Sequence, residues 1–242
     1  MNSLQLVKFD MLSVLKSPLT YIAILLGVLP IAVVVSVVVA TGEEVDPNMI
    51  LSMEKWFFSL IGMMFIVKTL SRDISEGTIQ LYLNSLHHRI RYFVAKSLSI
   101  IVMSVLITVI VLGITYIVDW TTQGPSIDMK SVGQLPVFYL MLFVIYGLLL
   151  FMFNLIVQKP AFVYTLGIFL LLFLVIVSPF IPLIPQIGPK LMEALNYIPI
   201  GYLTQKTLED DMSFTNWQWI INVASCIILF VGNAWLIAKK DI

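Results

Sequence analysis

The sequence predicts an all-α polytopic membrane protein with six transmembrane helices, and three observations carry that prediction. Of 242 residues, 60% are hydrophobic and only 12% charged, where soluble domains carry roughly 25% charged residues. Mean hydropathy is +0.99. Six apolar runs, at 19–40, 49–70, 93–118, 135–157, 161–178 and 217–238, come close to or exceed the roughly 20 residues a spanning helix needs.

Residues 1–18 precede the first run and set Lys8, Asp10 and Lys16 among apolar neighbours, the pattern of an amphipathic interfacial helix. The run that follows is longer than the core of a cleavable signal, so the segment is expected to stay in the mature chain. The second span is the least regular. Its clean apolar stretch, 56–67, is too short to cross, so the span has to include Glu54 and Lys55. Both are expected about two turns from the outer edge, where long side chains reach water by snorkelling. Ionisable groups within a span are functional candidates. Glu54 and Lys55 read either as serving packing or the mouth of a translocation path, or as coupling groups.

Between the fifth and sixth spans, the segment 179–205 contains Pro179, Pro182, Pro185, Pro189 and Pro199, five of the chain's 11 prolines. Phe180, Ile181, Leu183, Ile184 and Leu191 make it too apolar for a plain aqueous loop. Proline interrupts helices. Two readings stand: short re-entrant helices sheltered by the spans, or a rigid surface cap.

Basic residues set the orientation. The N-terminal segment, the 68–96 connection, Lys159 and the C-terminal tail together hold 10 of the 14 Lys and Arg; the alternate segments hold Lys55, Lys130, Lys190 and Lys206. The positive-inside rule therefore predicts both termini on the cytoplasmic side. The 10 acidic residues that fall on the other side agree with this.

Several chemistries lack their parts. Cys226 is the single cysteine, which leaves no disulfide framework or thiolate cluster. His87 and His88 are adjacent in a loop, so they diverge and make a poor metal site. No esterase, zinc-protease or P-loop motif occurs. No catalytic residue, bound cofactor or metal is expected in this chain, and no nucleic-acid partner.

The segment 71–91 stands out between the second and third spans. Read as one helix, Ile74, Ile79, Leu83 and Leu86 share a side, while Arg72, Asp73, Glu76 and Gln80 share another. A surface helix that contacts a soluble partner fits this spacing, and so does a solvated basic loop. The order of features then bears on the choice: an amphipathic N-terminal helix, a span, a short loop and a span. Next come Glu76-Gly77-Thr78, a Leu-rich stretch, a Lys at the head of the following span, the Pro-rich segment and the tail Lys239-Lys240-Asp241-Ile242. In this order the chain resembles the permease subunits of ABC-2 type transporters, of the half-size Gram-positive kind, over nearly its whole length.

That resemblance implies a fold of six spans with a cytoplasmic coupling helix and outer re-entrant helices. It implies a bacterial cell membrane, a second copy of the permease, and two copies of a separate ABC ATPase subunit that carries the ATP and Mg. Asp73, Glu76, Gly77, Thr78 and Gln80 become the candidates for the ATPase interface. The cargo implied is amphipathic or hydrophobic: a peptide such as a phenol-soluble modulin, an antibiotic or a lipid-like molecule. His87-His88-Arg89 stands where the family usually has a Pro-small-polar-Arg turn, which puts the angle of the coupling helix in question. Gly27, Ala32 and Ser36 in the first span fit either close approach at a dimer axis or ordinary packing within the chain. The alternative to a transporter is a membrane immunity or sensor module that binds peptide at its outer cap.

Overall fold

The structure is a computed structural model that describes residues 3–82 and 84–239. Every regular element in it is helical: α1 (Ser3–Leu15), α2 (Pro18–Thr41), α3 (Pro47–Ser75), α4 (Ile79–Tyr82), α5 (Leu86–Thr121), α6 (Met129–Val157), α7 (Pro160–Val177), a 3-10 segment (Ser178–Leu183), α8 (Gly188–Leu195), α9 (Pro199–Gln205) and α10 (Asn216–Lys239). Six of these, α2, α3, α5, α6, α7 and α10, are long and apolar enough to cross a membrane. They coincide with the six predicted runs, so the chain has the make-up of a multi-pass membrane protein.

Local chemistry explains where the long helices start and stop. Proline occupies the first turn of α2, α3 and α7, where its missing N–H costs nothing and its fixed φ suits the helix. The Asp46 side chain caps α3 by accepting from Asn48 N, Ser85 caps α5 by accepting from His88 N, and Asp128 caps α6 by accepting from Lys130 N. Gly42 closes α2 in the left-handed conformation, with φ of 76°.

The core is built by α3, α5 and α6. Within the apolar window of α3, 67% of residues are buried inside the chain, against 11% for α2 and 17% each for α7 and α10. The outer three helices therefore turn most of their apolar surface away from the chain, as lipid contact requires. Close approach at the centre depends on Gly62 of α3. A side chain there would collide with the ring of Phe143 on α6, which lies 2.3 Å from where a Cβ would sit. Gly27 of α2 likewise faces Ile61 and Phe58 of α3, so its missing side chain serves packing within the chain.

Polar groups inside the bundle bridge helices. Asn154 Nδ2 on α6 donates to Leu70 O on α3 at 2.8 Å, and Asn233 Nδ2 on α10 donates to Leu148 O on α6 at 2.8 Å. Such bonds hold helices together where no water competes. The Pro-rich segment folds as three short helical pieces. Of these, α9 is the buried one: Tyr202 donates to Asn222 Oδ1 on α10 at 2.7 Å, and the Tyr146 and Thr204 hydroxyls bond to each other. The 3-10 segment, α8 and the link between them instead leave Phe180, Leu183, Ile184, Ile187 and Leu191 exposed.

Candidate functional site

The charged side chains gather at the two ends of α3. At its C-terminal end, four of them form a buried, balanced cluster shared by three helices. Lys96 of α5 is fully buried, and its ammonium lies 3.0 Å from Asp10 Oδ1 on α1, 2.7 Å from Asp73 Oδ2 on α3 and 2.9 Å from Thr69 O. Three acceptors therefore meet its three hydrogens. Arg72 Nη2 lies 2.9 Å from both Asp10 Oδ1 and Asp73 Oδ1, and its guanidinium stacks 4.6 Å from the centre of the Phe9 ring. Ser99 donates to Asp10 Oδ2 at 2.8 Å and Tyr92 donates to Asp73 Oδ2 at 3.0 Å. Two carboxylates thus balance two cations. Burial pushes the Asp10 carboxyl above its usual range, while Lys96, Ser99 and Arg72 pull it back.

This cluster locks α1 to the spans. Leu6, Val7, Asp10 and Val14 form the buried stripe of α1, so Asp10 sits on the face that docks against α3 and α5. The inward face of this helix carries a charge, and its outward face sets Leu4, Phe9, Leu12 and Leu15 beside Lys8.

Directly above the cluster the chain turns. α3 runs on to Ser75, and Gly77, with φ of 67°, reverses the backbone before the single turn of α4. The continuous helix expected across 74–86 is therefore broken at Glu76-Gly77, because a glycine in the left-handed region ends a helix. Thr78 N donates to Asp73 O at 2.9 Å and closes the turn. Leu83, placed on the apolar side of the expected helix, lies outside the described residues, as do the last three residues of the tail, 240–242.

The five residues named as an interface divide accordingly. Glu76, Gly77 and Gln80 are exposed and Thr78 is partly so. Asp73 is the correction: at 1% exposure, with Lys96, Arg72 and Tyr92 around its carboxylate, it has no surface to offer a docking partner. It anchors the turn from below, and Glu76 links turn to anchor, with Oε2 3.9 Å from Arg72 Nε. His87 and His88 are exposed beside it, and Arg89 Nη1 donates to Ala238 O of α10 at 3.2 Å.

At the other end of α3, Glu54 and Lys55 do not reach water. Both are 0% exposed, which overturns the expectation that they snorkel. Lys55 instead donates to the Glu209 carbonyl in the loop after α9, and Tyr139 of α6 donates to Lys55 O at 3.2 Å. Glu54 Oε2 lies 2.8 Å from Thr115 Oγ1 on α5. On another side of the same stretch of α3, an open cleft of about 690 Å³ has Trp56, Phe57 and Met53 in its wall and the carboxylates Asp46, Asp128 and Asp210 around it. The Asp128 carboxyl is held below its usual range by the Lys130 backbone N–H, and that of Asp211 by the Ser213 hydroxyl. The structure thus separates the candidate residues into two groups, at opposite ends of one helix.

Sequence reasoning missed Tyr92 and Ser99, and did not join Asp10 to Lys96. A signal was present: Leu6, Asp10 and Val14 repeat every four residues, which puts an acid on an apolar stripe and calls for a buried cation.

A helical bundle of six spanning-length helices, with an ion cluster under a sharp turn at one end and an acid-rimmed cleft at the other, defines a multi-pass membrane protein whose polar features sit at its ends. The chain belongs to the DUF2705 family, a family described as of unknown function, whose model matches residues 36–242. Arg72, Asp73 and Lys96 fall inside that match and Asp10 precedes it. No curated protein matches the chain.

Proposed function

We propose that this protein is the permease subunit of an ATP-driven exporter of the ABC-2 type, moving an amphipathic or hydrophobic cargo with energy from a separate ATPase subunit. The observation that carries this reading is the exposed turn Glu76–Thr78, seated on the buried cluster of Asp10, Arg72, Asp73 and Lys96. A force applied to a flexible loop is lost in the loop. Applied here, it passes through ion pairs into α1, α3 and α5 together. Such a turn, on the basic and hence cytoplasmic end, suits a partner that closes on ATP. The three short helical pieces between α7 and α10 add support, since the resemblance implies short helices at that place.

The experiment is ATP hydrolysis and export by the complex in reconstituted membranes. Gly77→Pro and Glu76→Arg are expected to leave the protein inserted while permease-stimulated hydrolysis and export both fall by at least tenfold. Normal export in both variants would remove the reading. The second reading, a peptide-binding sensor module, draws on the acid-rimmed cleft near Asp46, Asp128 and Asp210. It requires peptide binding without any ATPase and indifference to changes in the 71–91 segment.

A further inference from the structure

Glu54 is fully buried, and among the described residues no cation forms an ion pair with it. Oε2 lies 2.8 Å from Thr115 Oγ1, and Oε1 has no hydrogen-bond partner among the described residues. The Thr115 oxygen also lies 3.0 Å from Val111 O. A hydroxyl has a single hydrogen and a carbonyl can only accept. If the carboxyl carries a proton, both contacts are satisfied in series: Glu54 donates to Thr115 and Thr115 donates to Val111. If it is ionised, Thr115 must turn to Glu54, leaving a buried charge with one hydrogen bond.

The neighbours confirm the shortage of positive charge. The nearest cation in sequence, Lys55, is committed to the Glu209 carbonyl near Asp210, and Lys206 lies 3.7 Å from Glu209 Oε2. Tyr139 on α6 spends its hydroxyl hydrogen on Lys55 O. The only titratable side chains of α2 and α7 are Tyr21 and Tyr164. The charges of the other cluster, at Asp73, are 19 positions on, about 28 Å along α3 at 1.5 Å per residue. An isolated carboxylate in such a place neutralises by binding a proton.

We propose that Glu54 is a proton-binding site: a neutral carboxylic acid at rest, which gives up its proton only when α3 and α5 part and admit water. Ser52, Met53, Trp56 and Phe57 of the same helix line the outer cleft while Glu54 and Thr115 do not, so the packed α3–α5 contact holds the carboxyl apart from cleft water. The proposal does not depend on an ATPase partner. It ties any rearrangement of the α3–α5 contact to proton release.

The test is infrared spectroscopy of the purified protein in lipid, in H2O and D2O at neutral pH. The expected result is a protonated-carboxyl band that is lost in Glu54→Gln and shifts in Thr115→Val, where the hydrogen bond is gone. A folded Glu54→Gln that removes only a carboxylate band overturns the proposal. Should Glu54→Gln fail to fold, Thr115→Val decides alone: a shifted protonated band supports the site, and an unchanged one overturns it. Neither outcome touches the question of ATP-driven transport, which the 76–80 variants answer separately.

Discussion

Lys96 ties α5 into the charged architecture, since its ammonium touches both Asp10 and Asp73, the two acids that Arg72 also bridges. Removing one partner of a buried charge network leaves the rest uncompensated. Lys96→Met is therefore expected to destabilise the protein by about 3–5 kcal/mol, read as a loss of thermal stability in detergent. A variant as stable as the parent would show that the cluster contributes nothing. Gly77 makes the contrasting case: its left-handed backbone is strained for any side chain, so Gly77→Ala is expected to cost only about 1–2 kcal/mol and to leave the bundle folded. At this scale the sequence was only partly legible. Glu76, Gly77 and Gln80 are exposed as their polarity suggested, yet Asp73, equally polar, is buried. Polarity alone does not tell a solvated acid from a paired one. Of the two cations that pair it, Arg72 is its neighbour in sequence, but Lys96, the fully buried one, lies 23 positions away on another helix.

Among the elements, the six long helices were legible because a bilayer demands about 20 apolar residues in succession and little else imitates that. Their ends were less so. α3 continues to Ser75, past the expected end at 70, because the Arg72 and Asp73 charges are neutralised inside the bundle, and α5 begins at Leu86 rather than at 93, where Ser85 caps it. The break at Gly77 was visible as a glycine and was overruled by apolar spacing that α4 keeps for a single turn only. The α6 cap yields a pH prediction. Asp128 is held below its usual range by donors that stabilise its ionised form, so the cap is complete above the ordinary carboxylate value and is lost as pH falls through the lowered one. Amide exchange at residues 128–132 should therefore speed up on acidification in the parent relative to the chemical exchange rate. In Asp128→Ala it should already be fast at neutral pH, and equal protection in the two at neutral pH would exclude the cap. Between helices, Asn154→Leu removes the bond to Leu70 O and is expected to cost up to about 2 kcal/mol by thermal unfolding.

For the whole molecule, the division of labour runs along α3. One end holds the locked turn, the other a buried carboxyl and an acid-rimmed cleft, and 67% burial of the helix between them makes it the rigid element of the bundle. A push at the turn and a rearrangement at the cleft are then motions of one body. The outer helices α2, α7 and α10, with little burial inside the chain, turn their apolar surface outward, as lipid contact requires. The general class was plain in composition, whereas the cluster at Lys96 was hidden because it depends on three segments meeting. The account stands or falls on a soluble partner at the turn. The most direct measurement is affinity purification from native membranes in mild detergent, with mass spectrometry of the recovered subunits, for the parent and for Glu76→Arg. The account predicts a P-loop ATPase in stoichiometric amount with the parent and its loss with Glu76→Arg. Recovery of the protein without an ATPase, under conditions that keep other transporter complexes intact, would contradict it.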